Sequence, residues 1–148
     1  MKVYDPANIR NVVLLGHSGS GKSTLAETMI YESGTSHKRG SVENKNTLSD
    51  YHPIEKEKQK SVYGSLLHLD WRGVKVNLLD TPGSNDFWGA VSESLHVADT
   101  AMFVLNAESG VEVGTEAFWK AADEKSIPSM LIVNKLDSEK SDFQKTVD

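Results

Sequence analysis

Apolar residues along this chain come in short runs, and the spacing within a run changes from one to the next. Residues 11–15 (Asn-Val-Val-Leu-Leu) are almost continuously apolar, as a strand buried on both faces is, and they feed a glycine-rich turn over 16–21. A helix is predicted over 22–33, with Leu25, Met29 and Ile30 on its inner face. Residues 35–60 are polar, rich in Ser and Lys, and aperiodic, which predicts a mobile functional loop. Alternation then returns: Leu67, Leu69 and Trp71 lie two apart, Arg72 and Gly73 make a turn, and Val74, Val76 and Leu78 resume beyond it. That is an antiparallel hairpin. A helix over 86–97 is predicted from Phe87, Val91 and Leu95, and a buried parallel strand over 101–105. A further helix over 115–125 and a last strand over 130–133, entered at Pro128, complete the pattern.

The order β-α-ββ-α-β-α-β predicts an α/β fold: a mostly parallel sheet with one antiparallel hairpin strand and helices on both faces. In such sheets the ligand loops leave the carboxyl ends of the strands. Three motifs fall there. Gly16-His17-Ser18-Gly19-Ser20-Gly21-Lys22-Ser23 follows the first strand and matches the G-x-x-x-x-G-K-[ST] phosphate loop. Its glycines let backbone N–H groups curl around a phosphate, and the helix opening at Lys22 points its positive end at the same anion. Lys22 supplies a point charge and Ser23 a hydroxyl ligand for Mg²⁺.

Asp80-Thr81-Pro82-Gly83 ends the third strand. Asp80 is placed to hold a Mg²⁺-bound water, and the N–H of Gly83 to meet a third phosphate. Alone, the same four residues are an ordinary β-turn. Asn134-Lys135-Leu136-Asp137 follows the last strand. A carboxylate such as that of Asp137 accepts two hydrogen bonds from the ring N–H and exocyclic amine of guanine, whereas adenine would leave it unpaired. Asn134 is expected to brace the loop, and Lys135 to lay its stem along the base. Alone, this tetrapeptide is a polar helix cap. Order and spacing together imply a guanine-nucleotide site of the P-loop NTPase class.

Bulk properties narrow the picture further. At 148 residues the chain is one domain at most, with ordinary hydrophobic (38%) and charged (25%) fractions. A net charge of −5 provides no basic surface for direct DNA binding. No cysteine is present, which suits a reducing cytoplasm, and the longest apolar run near the start is far too short for a membrane span. Nothing demands an oligomer, so a cytoplasmic monomer is expected. His37, His68 and His96 lack metal-ligand spacing, the run 55–58 reads as a solvated face or short helix, and Trp71, Trp88 and Trp119 read as packing residues.

Together the motifs resemble the G domain of translational GTPases, and the likeness to elongation factor G is close. Residues 80–87 (Asp-Thr-Pro-Gly-Ser-Asn-Asp-Phe) are similar to that family's D-T-P-G-H-x-D-F, 109–112 to its G-G-V-E, and 133–137 to its V-N-K-M-D. The resemblance runs from about residue 9 to 143, and the G-H-S-G-S-G-K loop looks like a divergent second type of elongation factor G. It implies a Ras-like G domain binding GTP or GDP with Mg²⁺, the metal held by Ser23, Asp80 and Ser61, and a ribosome partner for the full-length protein. In the family the domain continues through another strand and helix and a Ser-Ala-(Leu or Lys) loop, followed by more domains. Residues 1–148 are therefore expected to be the N-terminal portion of a G domain, its C-terminal part missing and its guanine pocket short of one wall.

Departures from the family concentrate at catalytic positions. Ser84 stands where the family has its water-positioning histidine, and 58–61 (Lys-Gln-Lys-Ser) replaces R-G-I-T, with Lys60 in place of an apolar gate residue. Ser18 and Gly19 replace an apolar residue and an aspartate. A short hydroxyl without a titratable imidazole positions water poorly, so the expectation is a GTP-binding switch for translocation with weak hydrolysis. The alternative is a fully active ribosome-stimulated GTPase in which His17, His52 or a ribosomal group substitutes. A P-loop ATPase or small-molecule kinase is disfavoured by the guanine motif, and a small GTPase outside translation by the matches between motifs.

Overall fold

The computed structural model describes residues 2–147. Its strands are β1 (Ile9–Leu15), β2 (Ser65–Trp71), β3 (Val74–Asp80), β4 (Thr100–Asn106) and β5 (Ser129–Asn134). The helices are α1 (Lys22–Glu32), α2 (Pro53–Lys58), α3 (Trp88–Val97), α4 (Val113–Glu124) and α5 (Phe143–Val147). The strands form one sheet in the order β2-β3-β1-β4-β5. All neighbours are parallel except the β2–β3 hairpin, as the sequence pattern predicts.

Side-chain alternation along β1 divides the core. Val13 and Leu15 face α3 and α4, packing with Val91, Leu95, Phe103 and Phe118. Leu14 faces the other way, against Ala26 and Ile30 of α1 and Leu69 and Leu78 of the hairpin. Helices thus cover both faces, and β1 lies at the centre, where every side chain from Val13 to Leu15 is buried.

Three sequence expectations need correction. Leu25 is only half-buried; the inner face of α1 runs through Lys22, Ala26 and Ile30, because Lys22 is drawn into the phosphate loop and residues four apart share a face. The helix expected over 86–97 is split: Asn85–Phe87 is a 3-10 turn capped by Ser84, and α3 begins at Trp88. The last strand forms as expected, as β5, and lies at the sheet edge with Met130 and Leu131 exposed. The 35–60 segment is also not a bare loop, since it contains α2, and Glu55 of its charge run is buried.

Carboxylates organise that segment where apolar residues are scarce. Glu27 of α1 is buried and accepts the N–H of Gly40 at 3.0 Å and that of Leu48. A Cβ on Gly40 would lie 2.6 Å from the same carboxylate, so only glycine lets the backbone come this close. Glu55 accepts N–H groups from His52 (3.2 Å), Val62 (3.0 Å) and Tyr63 (3.1 Å), closing the far end of the segment on itself. Hydrogen bonds to a charged acceptor contribute about 1.5–3 kcal/mol each. The Glu27→Ala variant is accordingly expected to speed hydrogen exchange at the Gly40 and Leu48 amides by roughly tenfold or more, while β1 and β4 keep their protection. Unchanged exchange at Gly40 would show that something else holds the segment.

Candidate nucleotide site

The carboxyl ends of β1, β3 and β5 open onto one cleft of about 290 Å³, walled on its other side by the 35–61 segment. Its floor is the phosphate loop. Gly21 adopts φ 102°, and a Cβ there would lie 2.3 Å from the Asn134 side-chain nitrogen. That nitrogen donates to the Ser20 carbonyl at 2.9 Å, so Asn134 braces the phosphate loop from the end of β5. Gly83 has no room for a side chain either: a Cβ would sit 2.4 Å from the Ser18 nitrogen and 2.6 Å from Lys22 Nζ.

Lys22 is buried, and its ammonium donates to the carbonyls of Gly16 (2.8 Å) and His17 (3.1 Å). Burial pulls its pKa down, opposed by the nearby negative charges of Asp80 and Asp50. Ser23 and Ser61, thirty-eight residues apart, are brought together with their hydroxyl oxygens 3.3 Å apart. Beside them lies Asp80, fully buried, with no hydrogen-bond partner on either carboxylate oxygen. Burial pushes its pKa up to about 6, and although Ser23 and Lys22 pull the other way, the first effect wins. Asp50 is also buried, its carboxyl pushed up chiefly by that burial and lowered by Ser61.

An orphaned buried carboxylate beside two converging hydroxyls is an all-oxygen donor set, which suits a hard divalent cation such as Mg²⁺. The three residues expected to hold the metal, Ser23, Ser61 and Asp80, thus meet in space. Asp50 was not expected there. It lies in the aperiodic 35–60 segment, where nothing in the pattern separates a buried carboxylate from a solvated one.

Other residues singled out from the sequence have different surroundings. Ser18, Gly19 and Lys135 line the cleft, Lys135 with a left-handed backbone (φ 61°). The His17 imidazole turns aside, its Nε2 3.6 Å from Glu112 and its Nδ1 buried without a partner. Thr81 and Pro82 are buried, and the Thr81 hydroxyl donates to the Leu14 carbonyl at 2.6 Å, a structural bond away from the cleft. Leu136 and Asp137 are exposed and lie outside the cleft wall. Ser84 donates its hydroxyl to the Asp86 carboxylate at 3.0 Å and caps the turn that follows.

This fold and site define a P-loop nucleotide-binding domain of the GTPase class. More narrowly, the chain belongs to the elongation factor Tu GTP binding domain family, which matches residues 7–148. It is 36% identical to elongation factor G 2 of Streptomyces coelicolor, over 99% of this chain and 21% of that protein. It is 39% identical to the mitochondrial ribosome-releasing factor 2 of Drosophila willistoni, over 96% of this chain and 19% of that one. A crystal structure of a Thermus thermophilus protein superposes with a TM-score of 0.91 at 42% identity, covering 95% of this chain and 21% of the other. The chain therefore spans about a fifth of the length of the curated relatives it matches. Among the described residues, no helix is long and apolar enough to cross a membrane.

The buried Asp80 carboxylate generates a prediction of unusual sign. Its pKa is raised on folding, from 3.8 to about 6, so the folded state binds the proton more tightly than the unfolded chain. With divalent cations chelated, Asp80→Asn should therefore raise stability at pH 7, by up to about 3 kcal/mol. The gain should shrink as pH falls through 6 toward 4, where wild-type Asp80 becomes neutral as well. Urea denaturation in chelator at both pH values checks this, and a destabilised variant at pH 7 would contradict it. With Mg²⁺ present, the same substitution should weaken Mg²⁺-dependent nucleotide binding.

Proposed function

We propose that residues 1–148 are the N-terminal portion of a G domain that serves as the GTP-binding switch of an elongation factor G-like translation factor. The full-length protein would act on the ribosome in translocation, as a cytoplasmic monomer, with weak GTP hydrolysis. The observation that carries the hydrolysis reading is the Ser84 hydroxyl, which is committed to Asp86 and thus occupied at the position from which the family orients water. The phosphate end of the cleft, in contrast, brings together Lys22, Ser23 and Ser61 beside the buried Asp80, which supports the binding half of this reading.

In this reading the phosphate-loop N–H groups and Lys22 hold the phosphates, with the Lys22 ammonium already poised at the loop mouth by the Gly16 carbonyl. Ser23, Ser61 and Asp80 would hold Mg²⁺, which would supply positive charge against the phosphates. Ser61 belongs to the carboxylate-anchored segment and Gly83 to the turn after β3, so both flanks of the cleft report on the ligand. Lys135 at the cleft wall and Asp137, exposed just beyond it, would provide the base contacts, with Asn134 keeping their loop against the phosphate loop.

One observation favours the alternative of a fully active, ribosome-stimulated GTPase. His17 pairs with Glu112 at 3.6 Å, and its Nδ1 is close to Gly114, which in turn lies against the Gly83 carbonyl. An imidazole oriented by a carboxylate is a general base in waiting. One measurement tests the guanine assignment that both readings share, and a second separates the two. GTP should displace a bound fluorescent guanine nucleotide at least about a hundredfold more effectively than ATP, and equal competition would remove the guanine assignment. On ribosomes the intact protein should hydrolyse GTP slowly, and Ser84→His should gain about tenfold or more, because a positioned acid–base group contributes roughly 10²–10⁴. A normal elongation-factor rate in the unmodified protein would instead establish the active enzyme.

A further inference from the structure

Three lysines border the cleft, Lys22, Lys60 and Lys135, and the switch described above uses only the first and the last. We propose that Lys60 is a specificity-determining residue that reads the terminal phosphate, so that the domain binds the nucleoside triphosphate more tightly than the diphosphate. The proposal rests on the cleft being a guanine-nucleotide site and deepens that assignment.

Its position carries the first part of the argument. Lys60 immediately precedes Ser61, whose hydroxyl is 3.3 Å from that of Ser23 at the cation end of the cleft. Consecutive Cα atoms are about 3.8 Å apart, so the stem of Lys60 starts beside the metal ligands. The wall across the cleft includes Ser18 and Gly19, which offer neither bulk nor negative charge to occupy an ammonium. Lys22 and Gly83 converge at the phosphate-loop mouth, where a Cβ on Gly83 would lie 2.6 Å from the Lys22 ammonium. In this proposal a third phosphate extends from this point toward Ser61 and Lys60, which line the same cleft, while a diphosphate ends short of them.

The second part is the lysine's freedom to bind. Among the described residues its ammonium has neither an ion pair nor a hydrogen bond, although Glu43 and Asp50 line the same cleft. Lys22 differs, since the loop carbonyls already hold its charge. The backbone that presents Lys60 is nonetheless fixed. Its N–H donates to the Glu55 carbonyl at 3.3 Å, and the Glu55 carboxylate takes the N–H groups of Val62 and Tyr63. An anchored backbone with an unpaired cation at its tip is a ready partner for a phosphate oxygen. An apolar side chain at this position would distinguish the two nucleotides only by shape.

The test compares affinities of the intact protein for GDP and for a non-hydrolysable GTP analogue in Mg²⁺, in wild type, Lys60→Met and Lys60→Arg. Methionine keeps the unbranched stem and loses the charge; arginine keeps the charge. The expected result is about a tenfold loss of analogue affinity in Lys60→Met, with GDP affinity within about twofold of wild type and Lys60→Arg near wild type. An unchanged GTP-to-GDP ratio in Lys60→Met, an equal loss for both nucleotides, or an arginine variant as weak as methionine would overturn the proposal. Tight GDP binding with an unchanged ratio would leave the guanine site standing. Wild-type protein that binds neither guanine nucleotide would remove both.

Discussion

The Thr81 hydroxyl donates to the carbonyl of Leu14 at 2.6 Å, in a place water does not reach. That bond ties the carboxyl ends of two adjacent parallel strands, β1 and β3, whose register sets Leu14 opposite Asp80. The phosphate loop and the turn after Asp80 consequently leave the sheet at the same level. Gly83 can then press against Ser18 and Lys22, and Asp80 is held behind Ser23 in full burial. A slip of one residue would reverse which side chains face the helices and separate the two loops, so the site and the core are set by one register.

Buried carboxylates divide the polar interior into two kinds. Glu27 and Glu55 have their oxygens filled by backbone N–H groups, and what they stabilise is a segment with too few apolar residues to fold by burial alone. Asp80 has no such backbone partners, and burial raises its pKa against the pull of Ser23 and Lys22. A native fold tolerates an unsatisfied buried charge where a ligand or ion completes it. The satisfied carboxylates therefore belong to the scaffold, and the unsatisfied one belongs to the site.

Position 84 is held differently from the phosphate loop. The phosphate-loop backbone, Gly21 and Lys22 are positioned by a sheet end and a helix start, and a Cβ on Gly21 would lie 2.3 Å from the Asn134 side-chain nitrogen. The residue at position 84 sits on a turn, where a serine finds a local partner in Asp86 and settles into a capping role.

Much of this protein was legible in one dimension. Period-two and near-continuous apolar runs announced the strands, the turn chemistry of Arg72 and Gly73 announced the hairpin, and the three motifs with their order announced the ligand class. These are local signals, carried by neighbours in the chain. Where Ala26 rather than Leu25 is buried, the helix phase was set by Lys22 being pulled into the loop, which no hydrophobic count registers. The meeting of Ser23 with Ser61, the burial of Asp50 and Glu55, and the free ammonium of Lys60 were beyond local signals altogether. The sequence alone determined the sheet, its helices and the chemistry of the phosphate loop, because backbone periodicity and glycine placement act at short range. Only the tertiary structure decided which polar residues of the aperiodic segment are buried and which face the cleft, because that depends on hydrogen bonds to distant backbone groups.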